Sequence, residues 1–363
     1  MAPSARPDLA LPRGLLILLG LAAAVIGVAG IRSAADLIGP IFLALVLTIA
    51  VHPLRGYAAR AGIPPWAGTM VGIVGAYAVL LGLTLAILVA VARFAQLLPE
   101  YEQQVNDLVA NGVDRLNTFG VGQDQLDQLT DGMDLNQLLE LAESLLAGVL
   151  SLTSDLFFVI TLLLFMAMDA ANLPAKLEQA RDQRSQVADA LTSFARGTRQ
   201  YLVVSTVFGF IVAVFDTAFL ALTPVPVPLL WGLLAFITNY IPNIGFVIGL
   251  VPPAILALLE GGVDLMLVVI VVYSVVNFVI QSVIQPKFVG DAVGLAGTLT
   301  FLSLVFWGWT LGAVGALLAV PLSLLVKAVL VDVDPESGWL STLLSGDSGS
   351  KAPAPDAPPV QSS

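Results

Sequence analysis

The chain has 363 residues, of which 58% are hydrophobic and 11% are charged, and its formal net charge is −11 at pH 7. Ordinary globular domains carry about a quarter charged residues, so this composition excludes a soluble protein and predicts a multi-pass membrane protein. The chain has no cysteine and a single histidine, His52, which excludes disulfides, thiolate metal sites and cysteine nucleophiles.

Three apolar runs follow the N-terminus, and each approaches or exceeds the length that a transmembrane helix needs: 15–31, 36–54 and 67–94. Arg6 and Arg13 precede the first run, but no cleavage site for a signal peptide leads from it into a soluble domain. We therefore expect a short N-terminal segment at 1–14 and three retained transmembrane helices within 15–94.

The segment 95–146 has a different composition, with ten acidic residues and a single basic residue, Arg115. Its apolar residues recur at helical spacing, and Asp134 followed by Gln137 resembles a capping box that opens a helix. This pattern predicts an acidic helical insertion at the membrane surface. A solvated face is the default interpretation, and an antechamber that attracts cations is the alternative.

A fourth span is predicted at 147–168 and is followed by a basic, amphipathic segment at 169–200. The basic residues of this segment are Lys176, Arg181, Arg184, Arg196 and Arg199. Short cytoplasmic loops are enriched in lysine and arginine, so the basic segment and the N-terminus are expected inside and the acidic insertion outside.

The C-terminal half, 201–331, is predicted to be the transport core. Its apolar runs at 229–259 and 298–331 contain proline and glycine, and each fits either two short elements or a bent hairpin. With spans at 201–222 and 265–285, the expected fold is an all-α polytopic membrane protein of about eight transmembrane helices, broken or re-entrant in this half. The Pro/Ser/Ala-rich tail 332–363 is predicted to be a disordered cytoplasmic segment.

A helix-breaking stretch, "NYIPNIG", lies inside the run 229–259 and contains Asn239, Pro242, Asn243 and Gly245. Broken helix is tolerated at membrane depth only where protein or a water-filled cavity surrounds it, and transporters use such breaks to bind substrate. The stretch therefore predicts a transport site or gate. The alternative is a kink in which the asparagines join neighbouring helices.

A polar stripe marks the following span, where Asn277, Gln281 and Gln285 recur every four residues on one helical face. Amides are costly against lipid, so this face is expected to meet protein or water. A polar translocation path and structural packing are both consistent with the stripe.

Two acidic residues, Asp155 and Asp216, fall within predicted spans. A carboxylate at membrane depth can carry a proton or pair with a cation, and Asp216 is the better candidate because it lies deeper in its span. A carboxylate near the outer interface is the alternative. The sequence has no GxxxxGK[ST], HExxH or GxSxG motif, so we expect neither an enzyme nor a bound cofactor, and transport would be secondary or channel-like.

Three motifs resemble the autoinducer-2 exporter (AI-2E) family of bacterial membrane transporters: "YIPNIGFVIGLVPPAILAL" at 240–258, "NFVIQSVIQPKFVGDAVGL" at 277–295 and "FWGWTLGAVGALLAVPL" at 306–322. The resemblance covers roughly 15–331. The resemblance implies a multi-pass protein of the bacterial cytoplasmic membrane that assembles as a homo-oligomer, with a pentamer as the expected form. The distribution of lysine and arginine places both termini inside. Carried over by the motifs are Pro242, Asn243, Gly245, Asn277, Gln281, Gln285, Pro286, Gly290, Gly312, Gly315 and Pro321.

Three functions remain open at this point. The first is export of a small polar solute such as autoinducer-2, because amides and hydroxyls bind an uncharged polyol without a counter-ion. The second is Na⁺(Li⁺)/H⁺ antiport that uses Asp216 and Asp155. The third is a membrane scaffold that transports nothing. The expected partners are membrane lipid and a small solute or ion, and no nucleic acid.

Overall fold

The computed structural model describes residues 12–62, 64–97, 101, 157–170, 173–242, 244–285 and 296–333, and every regular element in these ranges is a helix. In chain order they are α1 Arg13–Ser33, α2 Ala35–Arg60, α3 Pro65–Leu97, α4 Phe157–Asp169, α5 Leu173–Arg181, α6 Ser185–Leu220, α7 Pro228–Thr238, α8 Gly245–Asn277, α9 Gly297–Leu317 and α10 Ala319–Lys327. Two π-helical segments, Phe278–Ile284 and Ala328–Asp332, extend α8 and α10. The all-α prediction is confirmed for these residues.

The outer surface of the helices is apolar, as a lipid-facing surface must be. Five described helical stretches are long and apolar enough to cross a membrane: Ala35–Ala58, Trp66–Phe94, Ser185–Leu220, Gly245–Ile284 and Gly297–Leu317. Large apolar side chains remain exposed along them and along the shorter helices, including Phe210 and Phe157. A soluble protein rarely exposes apolar patches of this extent, so these faces are suited to lipid.

Helix α8 turns back on itself at Gly262, where φ is 71° and ψ is −166°, a conformation that is essentially restricted to glycine. Gly249 in its first arm packs against Thr238, and Gln281 beyond its second arm hydrogen-bonds Asn239. A straight helix would separate Gly249 from Gln281 by about 48 Å, yet both meet the same end of α7. The segment Gly245–Ile284 is therefore a helical hairpin, called here the first hairpin.

Helix α9 reverses in the same way at Gly312, where φ is 66° and ψ is −146°. The indole Nε1 of Trp307 donates a hydrogen bond to Ser323 Oγ at 3.0 Å. A straight helix would hold those two residues about 24 Å apart. Residues 297–327 thus form the second hairpin, which is the bent form expected for the run 298–331.

Helix α6 packs against both hairpins. It runs without a break across residues 200 and 201, where the sequence suggested a boundary between an amphipathic segment and a span. From Ala190 to Leu220 a buried residue recurs every three or four positions, so one buried and mostly apolar stripe serves both parts. Near its start, Phe194 and Tyr201 pack with the second hairpin and α2. At its end, Leu220 packs with α7 and the first hairpin.

Several predicted segments lie wholly or largely outside the described residues. These are the N-terminal segment, the acidic insertion apart from the end of α3 and Tyr101, the first half of the fourth span, and the C-terminal tail. Tyr101 donates a hydrogen bond to the carboxylate of Glu260, which lies beside the reversal of the first hairpin. Tyr101, just beyond the end of α3, therefore meets the tip of that hairpin.

Candidate functional site

A non-helical break of the chain separates α7 from the first hairpin, at residues 239–242 and 244. Its polar groups are bonded within the protein: the Tyr201 hydroxyl donates to the carbonyl of Tyr240, and Ile241 N donates to Thr238 O at 2.8 Å. The Tyr240 hydroxyl lies 2.6 Å from Thr206 Oγ1 on α6. These bonds satisfy the condition for irregular backbone at membrane depth, namely that protein surrounds it.

Glycines allow the break to pack tightly against its neighbours. A Cβ added at Gly245 would overlap the carbonyl oxygen of Thr238, and one added at Gly249 would lie 3.0 Å from Thr238 Oγ1. On α6, a Cβ at Gly209 would lie 2.8 Å from Asn239 Nδ2. The missing side chains therefore let α6, α7 and the first hairpin converge around Asn239.

A chain of hydrogen-bonded side-chain amides joins the first hairpin, through Asn239, to α6. Gln281 Nε2 donates to Asn277 Oδ1 at 2.8 Å and to Asn239 Oδ1 at 3.1 Å. Asn239 Nδ2 in turn donates to the carbonyl of Ser205 on α6 at 3.0 Å, and Asn277 Nδ2 donates to the carbonyl of Tyr273 at 3.0 Å. Gln281 lies in the π-helical segment, a rare geometry that is frequent at functional sites.

A cavity of about 10 Å³ lies beside the amide chain. It is lined by Val212, Asp216, Ala235, Thr238, Asn239, Phe246, Gly249, Tyr273, Asn277 and Gln281. A cavity of this size is at the lower limit for a single water molecule. In this conformation it can therefore hold one water or a small ion, and it is too small for an organic solute.

Asp216 is the acidic residue of this cavity and is fully buried. Among the described residues, neither carboxylate oxygen has a hydrogen-bond partner, and the same holds for the buried hydroxyl of Tyr273. An ionised carboxylate without a partner costs several kcal/mol to bury. Asp216 must therefore be protonated or be neutralised by a cation, and this requirement makes it a chemically reactive position.

The structure brings together part of the set of residues that the sequence singled out. Asp216, Asn239, Asn277 and Gln281 line one cavity. Pro242 and Gly245 form and pack the adjoining break, and Gln285 directly follows the π-helical segment and is not among the residues that line the cavity. Asn243, Pro286, Gly290 and Asp155 lie outside the described residues.

The remaining predicted residues belong to the second hairpin and lie away from the cavity. Gly312 makes the reversal, a Cβ at Gly315 would overlap the carbonyl oxygen of Trp307, and Pro321 is buried in α10. Their role in this structure is to shape and pack the hairpin. None of their contacts with other described residues places them on the amide path.

Two polar residues of the cavity lining were not predicted from the sequence, Tyr273 and Thr238. A signal for Tyr273 was present, since it precedes Asn277 and Gln281 at the same four-residue interval and extends the polar stripe by one turn. Thr238 carried no such signal, because it ends an apolar helix and reaches the cavity only through the break that follows it.

Comparison with known proteins assigns the chain to a family. The sequence model of the AI-2E family transporter matches residues 16–333. The AI-2 transport protein TqsA of Escherichia coli is 33% identical over 331 residues, covering 90% of this chain and 94% of that protein. The putative transport protein YhhT of Escherichia coli is 31% identical and covers 86% and 90%.

A more distant relative is the sodium-lithium/proton antiporter of Halobacillus andaensis, 23% identical over 274 residues, covering 69% of this chain and 73% of that protein. The matched region of the family contains the helix break, both hairpins and the cavity between α6, α7 and α8. The chain therefore belongs to the AI-2E family of membrane transporters.

Proposed function

We propose that this protein is a secondary transporter that exports a small, uncharged, polar solute, with autoinducer-2 as the leading candidate. The observation that carries the proposal is the amide chain formed by Asn277, Gln281 and Asn239 across the helix break. Neutral donors and acceptors can bind the hydroxyls of a polyol without requiring a charged group on it. The relative named for AI-2 transport supports this substrate class.

Transport of such a solute requires the first hairpin to move relative to α6 and α7. The cavity of about 10 Å³ has no room for an organic molecule, so we take this conformation to be a closed state of the proposed path. When the hairpin separates from Asn239, Gln281 loses one amide partner and can bond a solute hydroxyl in its place. Exchange of one hydrogen bond for another costs little, which suits a site that must bind and release.

The remaining parts of the proposal concern topology and assembly. We place the protein in the bacterial cytoplasmic membrane with about eight spans and both termini inside, following the lysine and arginine distribution. The two helical hairpins support a count above the five long apolar stretches, because each hairpin contributes two arms. We expect a homo-oligomer, with a pentamer as the form that the family resemblance implies.

The test is efflux of autoinducer-2 from sealed proteoliposomes containing the purified protein. We expect Gln281→Leu to reduce efflux at least tenfold, since it removes the donor that joins Asn239 to Asn277. The control is Gln200→Leu, the same change at an exposed position of α6. Equal efflux from both variants would rule out the amide path, and no efflux from folded wild type would reject this solute.

A second candidate function, Na⁺(Li⁺)/H⁺ antiport, is favoured by the buried carboxylate of Asp216, which has no hydrogen-bond partner among the described residues. The antiporter relative supports it at lower identity. The measurement is proton movement in liposomes loaded with a pH-sensitive dye, after a Na⁺ or Li⁺ gradient is imposed. Proton movement lost in Asp216→Asn would establish the antiporter, and its absence in wild type would leave solute export.

A further inference from the structure

The cavity beside α6 is lined by two residues, Asp216 and Tyr273, whose buried oxygen atoms are not used by the amide chain. Both carboxylate oxygens of Asp216 and the hydroxyl of Tyr273 are buried and have no hydrogen-bond partner among the described residues. All of them belong to residues that line one cavity of about 10 Å³. Native proteins leave few buried polar atoms unpaired, so this concentration needs a chemical explanation.

Charge balance limits what can occupy the cavity. None of the residues that line it is lysine, arginine or histidine, and Tyr273 is the only other titratable residue among them. On the elements packed around it, α7 adds no charged residue, and the charged residues of the first hairpin, Glu260 and Asp264, flank its reversal at Gly262. A single carboxylate is neutralised by one positive charge, whereas a divalent ion would leave an uncompensated charge.

The available donor atoms are oxygens, which hard cations prefer. Besides Asp216 and Tyr273, the cavity is lined by Thr238, whose Oγ1 donates to Ala235 O at 3.3 Å and keeps its lone pairs free to accept. Asn277 adds an amide oxygen that accepts a bond from Gln281. The volume suits one bare ion or one water molecule.

We propose that Asp216, Tyr273 and Thr238 form a monovalent-cation site in which Na⁺ and a proton compete for the Asp216 carboxylate. Binding of one Na⁺ to the protonated carboxyl releases one proton to water, and protonation releases the Na⁺. This inference rests on the proposed transport function and supplies its coupling ion. It also links the ion to the solute path, because Asn277 both lines the cavity and accepts a hydrogen bond from Gln281.

The first test is calorimetric titration of the detergent-solubilised protein with NaCl, at constant ionic strength maintained with choline chloride. Repeating it in buffers of different ionisation enthalpy gives the number of protons released per Na⁺ bound. At the acidic end of the pH range from 5 to 9, we expect about one proton to be released per Na⁺ bound. There the apparent affinity for Na⁺ should rise about tenfold per pH unit, as one-for-one competition requires. Asp216→Asn should abolish both Na⁺ binding and proton release.

Tyr273→Phe separates a ligand role from a packing role. A packing role predicts equal or higher thermal stability with unchanged Na⁺ affinity, because the change removes a buried hydroxyl that has no partner among the described residues. A ligand role predicts at least a threefold loss of Na⁺ affinity in a protein that still folds. This variant keeps the inference testable if Asp216→Asn does not fold.

Three outcomes would overturn the site: no Na⁺ binding by wild type between pH 5 and 9, binding without proton release, or unchanged binding in folded Asp216→Asn. Failure of the site and failure of the transport function give different results. Efflux of autoinducer-2 without Na⁺ binding would reject the cation site and keep the transporter. Na⁺ binding with proton release but no flux of solute or ion would support the site and reject the proposed transport.

Discussion

The two hairpins share one backbone device and differ in chemistry. Each reverses at a glycine with positive φ, Gly262 in the first and Gly312 in the second. The first carries Asn277 and Gln281 and lines the cavity. The second has no acidic or amide side chain between residues 297 and 327, and it packs into the apolar cluster formed with α2 and α6.

This difference indicates a division of labour within one architecture. Both hairpins can be built because glycine at the reversal avoids the steric clash that any other residue would meet. Only the first hairpin then pairs its polar groups with a helix break, and so only the first is suited to exchange partners with a ligand. The second hairpin is suited to act as the fixed support on α6.

The largest loss of stability is expected when alanine replaces a glycine that packs directly against a backbone carbonyl. In Gly245→Ala the new Cβ would overlap Thr238 O, and in Gly315→Ala it would overlap Trp307 O. We expect a loss of about 3 kcal/mol in each hairpin, the upper range for overpacking. Thermal unfolding in detergent measures it, with Gly308→Ala as the control because its Cβ would make only ordinary contacts. Wild-type stability of either variant would show that the hairpin packs less closely than the structure indicates.

Replacing one polar residue in each hairpin with an apolar one should separate an effect on transport from an effect on stability. Asn277→Leu removes the acceptor for Gln281 and should cost about 2 kcal/mol and reduce solute efflux at least tenfold. Ser323→Ala removes the partner of the Trp307 indole and should cost about 1 kcal/mol with efflux unchanged. Stability and efflux would be measured on the same preparations. A tenfold loss of efflux in Ser323→Ala would contradict the division of labour.

Alanine substitution at either reversal, Gly262 or Gly312, should lower the stability by a similar amount. Among the described residues, a Cβ at Gly262 or at Gly312 meets nothing within 4 Å, so backbone strain is the cost that alanine adds at either position. We expect each single variant to lose about 1–2 kcal/mol, and the double variant to lose their sum because the sites are separate. The measurement is the midpoint of thermal unfolding. Unequal losses would mean that one reversal is supported by contacts that the other lacks.

The smallest effect concerns the contact between α1 and the second hairpin. The guanidinium of Arg32 lies 4.2 Å from the ring centroid of Trp309. Arg32→Gln should cost about 0.5–1 kcal/mol, the usual range for a cation–π contact near the surface, and leave efflux unchanged. Arg60→Gln is the control, since Arg60 lies 5.9 Å from the ring of Tyr57 on its own helix. Equal losses of stability in both variants would show that the contact between Arg32 and Trp309 does not stabilise the second hairpin.

Much of the fold could be predicted from sequence, because the signals are local. Long apolar runs predicted the helices of α1 to α3, and the "NYIPNIG" stretch predicted the break after α7. The boundary near residue 200 was not a helix boundary, since a change from polar to apolar surroundings alters the exposed face of α6 and leaves its backbone unchanged.

The candidate site was only partly predictable. The sequence placed Asn277 and Gln281 on one helical face, because spacing along a helix is fixed by its geometry. It did not distinguish Gln281, which bonds Asn239, from Gln285, which lies outside the cavity lining. That distinction depends on the depth at which the first hairpin packs against α7.

By itself, the sequence determined that the protein is a helical membrane protein with a broken core, because hydrophobicity and the preferences of proline and glycine act over a few residues. Tertiary structure alone decided which polar groups meet. Asp216 on α6, Thr238 at the end of α7 and Tyr273 on the first hairpin are distant in the chain. They share a cavity because the reversal at Gly262 returns the second arm of the hairpin to α6.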